Sequence, residues 1–261
     1  MTQGYIIVAS NEPRFAYFAH QLALSILDFN PGAKIHLVTE VDYYFKLYQH
    51  FHYCNEIYDK VTYIPDNIGK YRAKIWGCAQ SDYDTTCYID ADMVCRKSGL
   101  DIVFDALGEN DMVWTYIREK NAADASWWDW RAGVKHPHGA FFVYRKNERM
   151  SLFFDNWYNH FYELHRTPSE KDWTETNYKW KQRHWDQVPL HAIMMNEQHR
   201  WYMPELKWDW VQVDKDWRFN WITPHYEMSY NYDPNEAFLE HYAKSSYRDI
   251  LPELFCGGPQ E

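Results

Sequence analysis

Asp90-Ala91-Asp92 sets two carboxylates two residues apart, directly behind the run Thr86-Cys87-Tyr88-Ile89. A short apolar, β-rich run of this kind reads as a buried strand, so the acidic pair stands where the chain leaves a sheet. In open α/β sheets ligands bind beyond the carboxyl ends of the strands. Two hard oxygen donors this close suit Mg²⁺ or Mn²⁺, and a divalent ion held there neutralises a diphosphate leaving group. The same spacing recurs in Asp82-Tyr83-Asp84 and Asp214-Lys215-Asp216. Asp82 and Asp84 fall in a polar turn before the strand. Asp90 alone follows an uninterrupted apolar run and precedes another, Met93-Val94-Cys95.

Around that pair the first half of the chain alternates β-rich runs with amphipathic stretches, the pattern of strands and crossover helices in a largely parallel sheet. Strands are predicted over residues 4–9, 34–39, 57–64, 86–89, 112–117 and 139–144. Helices are predicted after Ser10-Asn11-Glu12-Pro13 up to Asn30-Pro31-Gly32, over 42–51, 70–80, 99–107 and 148–164. The alternation fades over residues 118–137, where Trp127, Trp128 and Trp130 stand in polar surroundings with Gly133 and Pro137. That composition predicts a loop over a cleft, its indoles offering stacking faces to sugar rings or bases. Trp173, Trp180 and Trp185 extend the same chemistry into a Trp-rich remainder without internal repeats. The expectation is one domain over 1–261, with a nucleotide-type α/β half (1–145) and an irregular, aromatic-rich half built onto it (146–261).

Tyr88-Ile89-Asp90-Ala91-Asp92-Met93-Val94 resembles the D-x-D segment of GT-A-fold glycosyltransferases, particularly the glycogenin-like retaining group. Ile7-Val8-Ala9-Ser10-Asn11 is similar to that family's first strand and loop, which implies that Ala9, Ser10 and Asn11 hold the nucleobase and ribose of a sugar nucleotide. Residues 70–80 resemble its helix with a basic residue, bringing Arg72 or Lys74 toward the donor. Asp90 and Ala91 would join the same donor site. His138-Gly139-Ala140-Phe141-Phe142-Val143 looks like the strand beside the sugar, with His138 and Gly139 as donor contacts. Trp185-Asp186-Gln187-Val188-Pro189-Leu190 resembles the Asp-Gln segment at the reacting face, making Asp186 and Gln187 the catalytic candidates. Phe238-Leu239-Glu240-His241-Tyr242-Ala243-Lys244 is similar to the closing His motif: His241 would join Asp90 and Asp92 as metal ligands, and Lys244 would contact the diphosphate. The Gly and Lys-Pro-Trp that follow the family's histidine are absent here. The resemblance implies a GT-A, Rossmann-like α/β fold with a mainly parallel central sheet, a Mn²⁺ or Mg²⁺ cofactor, a UDP-sugar donor and retention at the anomeric carbon. Attack by Gln187 and acceptor entry from the leaving-group face both account for retention.

Composition narrows the partners. Twenty-seven basic against 37 acidic residues give a net charge of −10, which disfavours a surface made for gripping phosphodiester backbone. Aromatic residues reach 19%, enough bulky apolar surface to make intrinsic disorder unfavourable. Five cysteines without a C-x-x-C pair indicate neither a disulfide framework nor a cysteine zinc site. His50-Phe51-His52 and His136-Pro137-His138 lack a third ligand at zinc spacing and read as structural. No basic n-region precedes the first strand and no run reaches the roughly 20 apolar residues of a membrane span, so a cytoplasmic protein without a membrane partner is expected.

The leading expectation is a metal-dependent retaining glycosyltransferase acting on a hydroxyl of a glycan, a protein, a small molecule or, less favoured by charge, a hydroxymethylated DNA base. A non-catalytic carbohydrate-binding module on the same fold is the alternative, motivated by aromatic richness and the altered closing motif. A nucleotidyltransferase would want a Gly-rich or basic loop after the first strand, and Ser10-Asn11-Glu12-Pro13 is neither.

Overall fold

The computed structural model describes residues 1–68, 72–117, 136–164, 190, 211–213, 221–222, 238–241, 252 and 255. Its centre is a seven-stranded sheet whose first four strands in sequence are β1 (Gln3–Ala9), β2 (Ile35–Thr39), β3 (Lys60–Tyr63) and β4 (Thr85–Ile89). These run parallel in the order β3-β2-β1-β4. Parallel neighbours need crossovers, here α1 (Pro13–Phe29), α2 (Val41–His50) and α3 (Ala73–Cys78). Every residue of β2 and β4 is buried, as expected for strands covered on both faces.

Beyond β4 the sheet continues through β7 (His136–Arg145), β6 (Met112–Ile117) and β8 (Val211–Val213). β7 is antiparallel to both β4 and β6, while β6 and β8 are parallel. The sheet is thus mainly parallel, with one reversed strand inserted beside the D-x-D strand. A smaller sheet joins β5 (Met93–Cys95), β10 (Leu239–His241) and β9 (Trp221–Ile222) in the order β5-β10-β9.

The strict period of two in the strands divides the core. Tyr5, Ile7, Cys87 and Ile89 face the α1 side. Ile6, Val8, Tyr88 and Phe142 face α3 and the helix α5 (Glu148–Leu164), with a short α4 (Ile102–Asp105) following β5. α5 contributes Met150, Phe153, Phe154 and Trp157, the i, i+3, i+4, i+7 stripe of an amphipathic helix. The three aromatic rings meet an aromatic wall on the sheet: Trp157 lies 6.1 Å from Trp114, and Phe154 lies 4.9 Å from Tyr144. Much of the aromatic excess in this half is therefore core.

Some boundaries differ from expectation. β3 begins at Lys60 because Cys54–Glu56 folds into a 3₁₀ turn that buries Cys54. β7 begins at His136, inside the segment expected to be loop. Its first residues pair with β6 (Ile117↔His136, Tyr116↔Pro137) across a register shift after Trp114. Proline is tolerated there because position 137 lies beyond the last β4 rung, Ile89↔Phe141. Cys54, Cys78, Cys87 and Cys95 are all buried, and His50 packs its ring 4.5 Å from Phe51 and 5.6 Å from Phe255. No described helix is long and apolar enough to cross a membrane.

α3 sits unusually close to the sheet. A Cβ at Gly77 would stand 2.7 Å from a Val8 methyl and 3.1 Å from a Val38 methyl, both on stiff β-branched residues. Gly77→Ala is expected to lower stability by about 1–2 kcal/mol, overpacking outweighing the gain in helix propensity. A urea midpoint equal to or above wild type would contradict this close approach.

Candidate active site at the carboxyl edge of the sheet

β4 ends at Ile89, and Asp90 is held at the edge by its own backbone, whose N–H donates to the carbonyl of Ala140 on β7 at 2.9 Å. Its carboxylate meets two donors on one oxygen. Lys74 Nζ lies 2.9 Å from Asp90 Oδ1, and the Tyr88 hydroxyl donates to the same oxygen. Lys74 also donates to the Gly139 carbonyl at 3.3 Å and stands 5.3 Å from the centre of the Tyr88 ring. A charge-assisted hydrogen bond between partly buried groups is among the stronger polar contacts a protein makes. The structure thus brings together Lys74, Asp90 and Gly139. Arg72 has its guanidinium 4.6 Å from the ring centre of Tyr158 on α5. The backbone of His138 continues β7 past Gly139, while its side chain lies outside the described atoms.

β1 ends at the same edge. Ala9 is buried, and its carbonyl accepts from Thr39 Oγ1 at 2.9 Å. Ser10 is buried beside it. Asn11 turns the chain with φ +78°, the left-handed region that Asn tolerates better than most residues. Its N–H donates to Glu40 Oε1 at 3.2 Å, and its own Oδ1 is buried with no hydrogen-bond partner among the described residues. A buried, unsatisfied acceptor is costly, and an edge that offers one is chemically ready for a ligand donor.

Asp92 follows one residue after the buried Ala91 and is half-buried itself. The chain then enters β5, which pairs antiparallel with β10 in the register Leu239↔Cys95, Glu240↔Val94, His241↔Met93. The Arg96 N–H closes the far end on the Phe238 carbonyl at 2.8 Å. Directly opposed residues of such a pair have Cα atoms about 5 Å apart. The backbone of His241 is therefore set beside the residue that follows Asp92, although the two are remote in sequence. The His241 side chain lies outside the described atoms, and among the described residues no cluster of three metal-ligating side chains forms. Asp90 and Asp92, hard carboxylates on one turn, are the donor chemistry that Mg²⁺ and Mn²⁺ prefer, so the residues present fit such an ion.

Asp186, Gln187, Lys244, Trp127, Trp128 and Trp130 lie outside the described residues, as do Trp173, Trp180 and Trp185. Two residues not singled out from sequence belong to this edge, Tyr88 and Glu40. Tyr88 had a legible signal: a phenol in an apolar strand needs a polar partner, and residue i+2 on the same face is Asp90. Glu40 had none, because its contact with Asn11 depends on β2 lying beside β1.

No protein-family model matches the chain, and no curated protein matches it in sequence. Solved structures do match. The galactosyltransferase LgtC, determined with donor and acceptor sugar analogs, superposes over 92% of this chain and 87% of its own with a TM-score of 0.55 at 14% identity. The bifunctional glycosyltransferase WbbM gives a TM-score of 0.55 at 12% identity, covering 94% of this chain and 46% of WbbM. The glycosyltransferase GlyE of Streptococcus pneumoniae gives 0.50 at 15% identity, covering 82% of this chain and 46% of GlyE. The fold is that of GT-A glycosyltransferases.

Proposed function

We propose that this chain is a metal-dependent, retaining glycosyltransferase that moves a sugar from a nucleotide-diphospho donor, a UDP-sugar, to a hydroxyl acceptor. The observation that carries the reading is the convergence at one sheet edge of the Asp90-Ala91-Asp92 turn, the Lys74 ammonium and the strand of His241. The structural likeness to LgtC supports it.

Glycosyl transfer breaks an anomeric C–O bond to a diphosphate, so the protein must chiefly stabilise charge on the leaving group and position an acceptor hydroxyl. Asp90, Asp92 and His241 would hold Mn²⁺ or Mg²⁺, which supplies Lewis-acid stabilisation of that diphosphate. The charges favour joint binding. Lys74 offsets one of the two aspartates, so a divalent ion leaves the trio net positive and complementary to a diphosphate. Ala9, Ser10 and Asn11 would take the nucleoside, with Glu40 fixing the turn at Asn11. Gly139, whose carbonyl already holds Lys74, would border the donor sugar. Asp186 and Gln187 would face the anomeric carbon, Lys244 the diphosphate, and the indoles of Trp127, Trp128 and Trp130 the acceptor.

The test is a turnover assay with a panel of sugar nucleotides and Mn²⁺. Transfer, or slow donor hydrolysis without acceptor, is expected with at least one UDP-sugar and should stop on chelation. Neither reaction with any donor, with chelator making no difference, would overturn the proposal.

A further inference from the structure

Tyr88 is the penultimate residue of β4, and its side chain shares a sheet face with that of Asp90 because strand side chains alternate. The ring is almost wholly buried, stacked 4.8 Å from Phe142, with Lys74 Nζ 5.3 Å from its centre. Phenylalanine would serve that packing equally well. What tyrosine adds is a hydroxyl at the mouth of the sheet, donating to Asp90 Oδ1, the oxygen that also takes the Lys74 ammonium. The two donors differ in kind. Lys74 reaches Asp90 on a flexible four-carbon stem and responds to any anion brought near it. The Tyr88 phenol is fixed by a ring clamped in the core, so its hold on Asp90 does not depend on what occupies the edge.

We infer that Tyr88 is a positioning residue, whose hydroxyl orients the Asp90 carboxylate for the cation and donor. This rests on the metal-dependent reading above. It acts through Asp90, as partners behind a metal ligand generally act, by restricting the ligand's orientation.

The experiment compares Tyr88→Phe with Tyr144→Phe, which loses another buried phenol in the same core, one bonded to the Cys78 carbonyl. Mn²⁺ uptake is read from the electron paramagnetic resonance signal of the free ion, with UDP present, and folding from near-UV circular dichroism. Tyr88→Phe should take up Mn²⁺ about tenfold more weakly while staying folded. Raising Mn²⁺, rather than donor, should restore its turnover. Tyr144→Phe should take up Mn²⁺ like wild type. If wild type takes up no Mn²⁺ with UDP, the metal-dependent reading falls and this inference with it. If wild type does and Tyr88→Phe matches it, this inference alone falls. Equal weakening in both variants would assign the effect to core packing and overturn it as well.

Discussion

Asp92→Asn is expected to lower Mn²⁺-dependent sugar transfer by about 10²- to 10³-fold, the loss typical when one preorganised charge-stabilising group is removed from a reacting centre. The substitution keeps shape and removes charge. Asp92 is half-buried on the turn between β4 and β5, so the fold should tolerate the change and the melting temperature should stay close to wild type. The charge does not stay the same: with Lys74 present, losing Asp92 leaves one aspartate facing one ammonium, a much poorer site for a divalent ion. Initial rates at saturating donor over a Mn²⁺ series measure the effect. The same variant separates an enzyme from a carbohydrate-binding module, because a module would keep its sugar affinity unchanged and show no chelator dependence. Turnover equal to wild type with intact folding would remove Asp92 from the reaction.

Acidification should destabilise the protein between about pH 6.5 and pH 4 by roughly 3 kcal/mol for each of two buried histidines. His20 is fully buried with its Nδ1 3.0 Å from the Tyr58 hydroxyl, and His36 is buried with its Nε2 2.8 Å from Thr62 Oγ1. Burial lowers each imidazole from 6.5 to about 4, helped at His20 by His50 and at His36 by Lys60, against a smaller opposite pull from Asp82 and Asp59. Both rings are therefore neutral in the folded protein at pH 7. As pH falls below 6.5 the unfolded chain takes up protons first, so stability declines until the folded rings also titrate near pH 4. Asp82, held below the ordinary carboxylate range by its hydrogen bond to Lys60, contributes stability that is present throughout this window and lost only as pH falls further, through the carboxylate range. Two such losses are comparable with the 5–15 kcal/mol stability typical of domains. Urea midpoints at pH 7, 5.5 and 4.5 should fall steadily, and a midpoint flat across that range would show that neither ring is held neutral.

How far sequence reached can be followed residue by residue. The strand 112–117 and the helix 148–164 were legible to their ends because the first is a short, nearly continuous β-prone run and the apolar positions of the second repeat at helical spacing. The boundaries that moved did so for tertiary reasons. β7 gained His136–His138 from pairing with β6, and β3 lost its first residues to a turn that buries Cys54. The basic helix before the D-x-D strand was legible, yet its spacing did not distinguish Arg72 from Lys74. Packing gives each its own contact: Lys74 reaches Asp90, and Arg72 lies against the ring of Tyr158.

An α/β chain with an acidic pair at the end of a buried strand is legible from local composition, because alternation and the abrupt change from apolar to acidic residues are properties of short windows. Local composition could not determine what would meet that pair. The reversal of β7 beside β4, the Lys74–Asp90 contact, the Tyr88 hydroxyl on the same oxygen and the register that sets His241 opposite Met93 were decided by the tertiary structure. Each joins segments whose approach depends on burying a shared core, and that burial is a property of the whole chain rather than of any window within it.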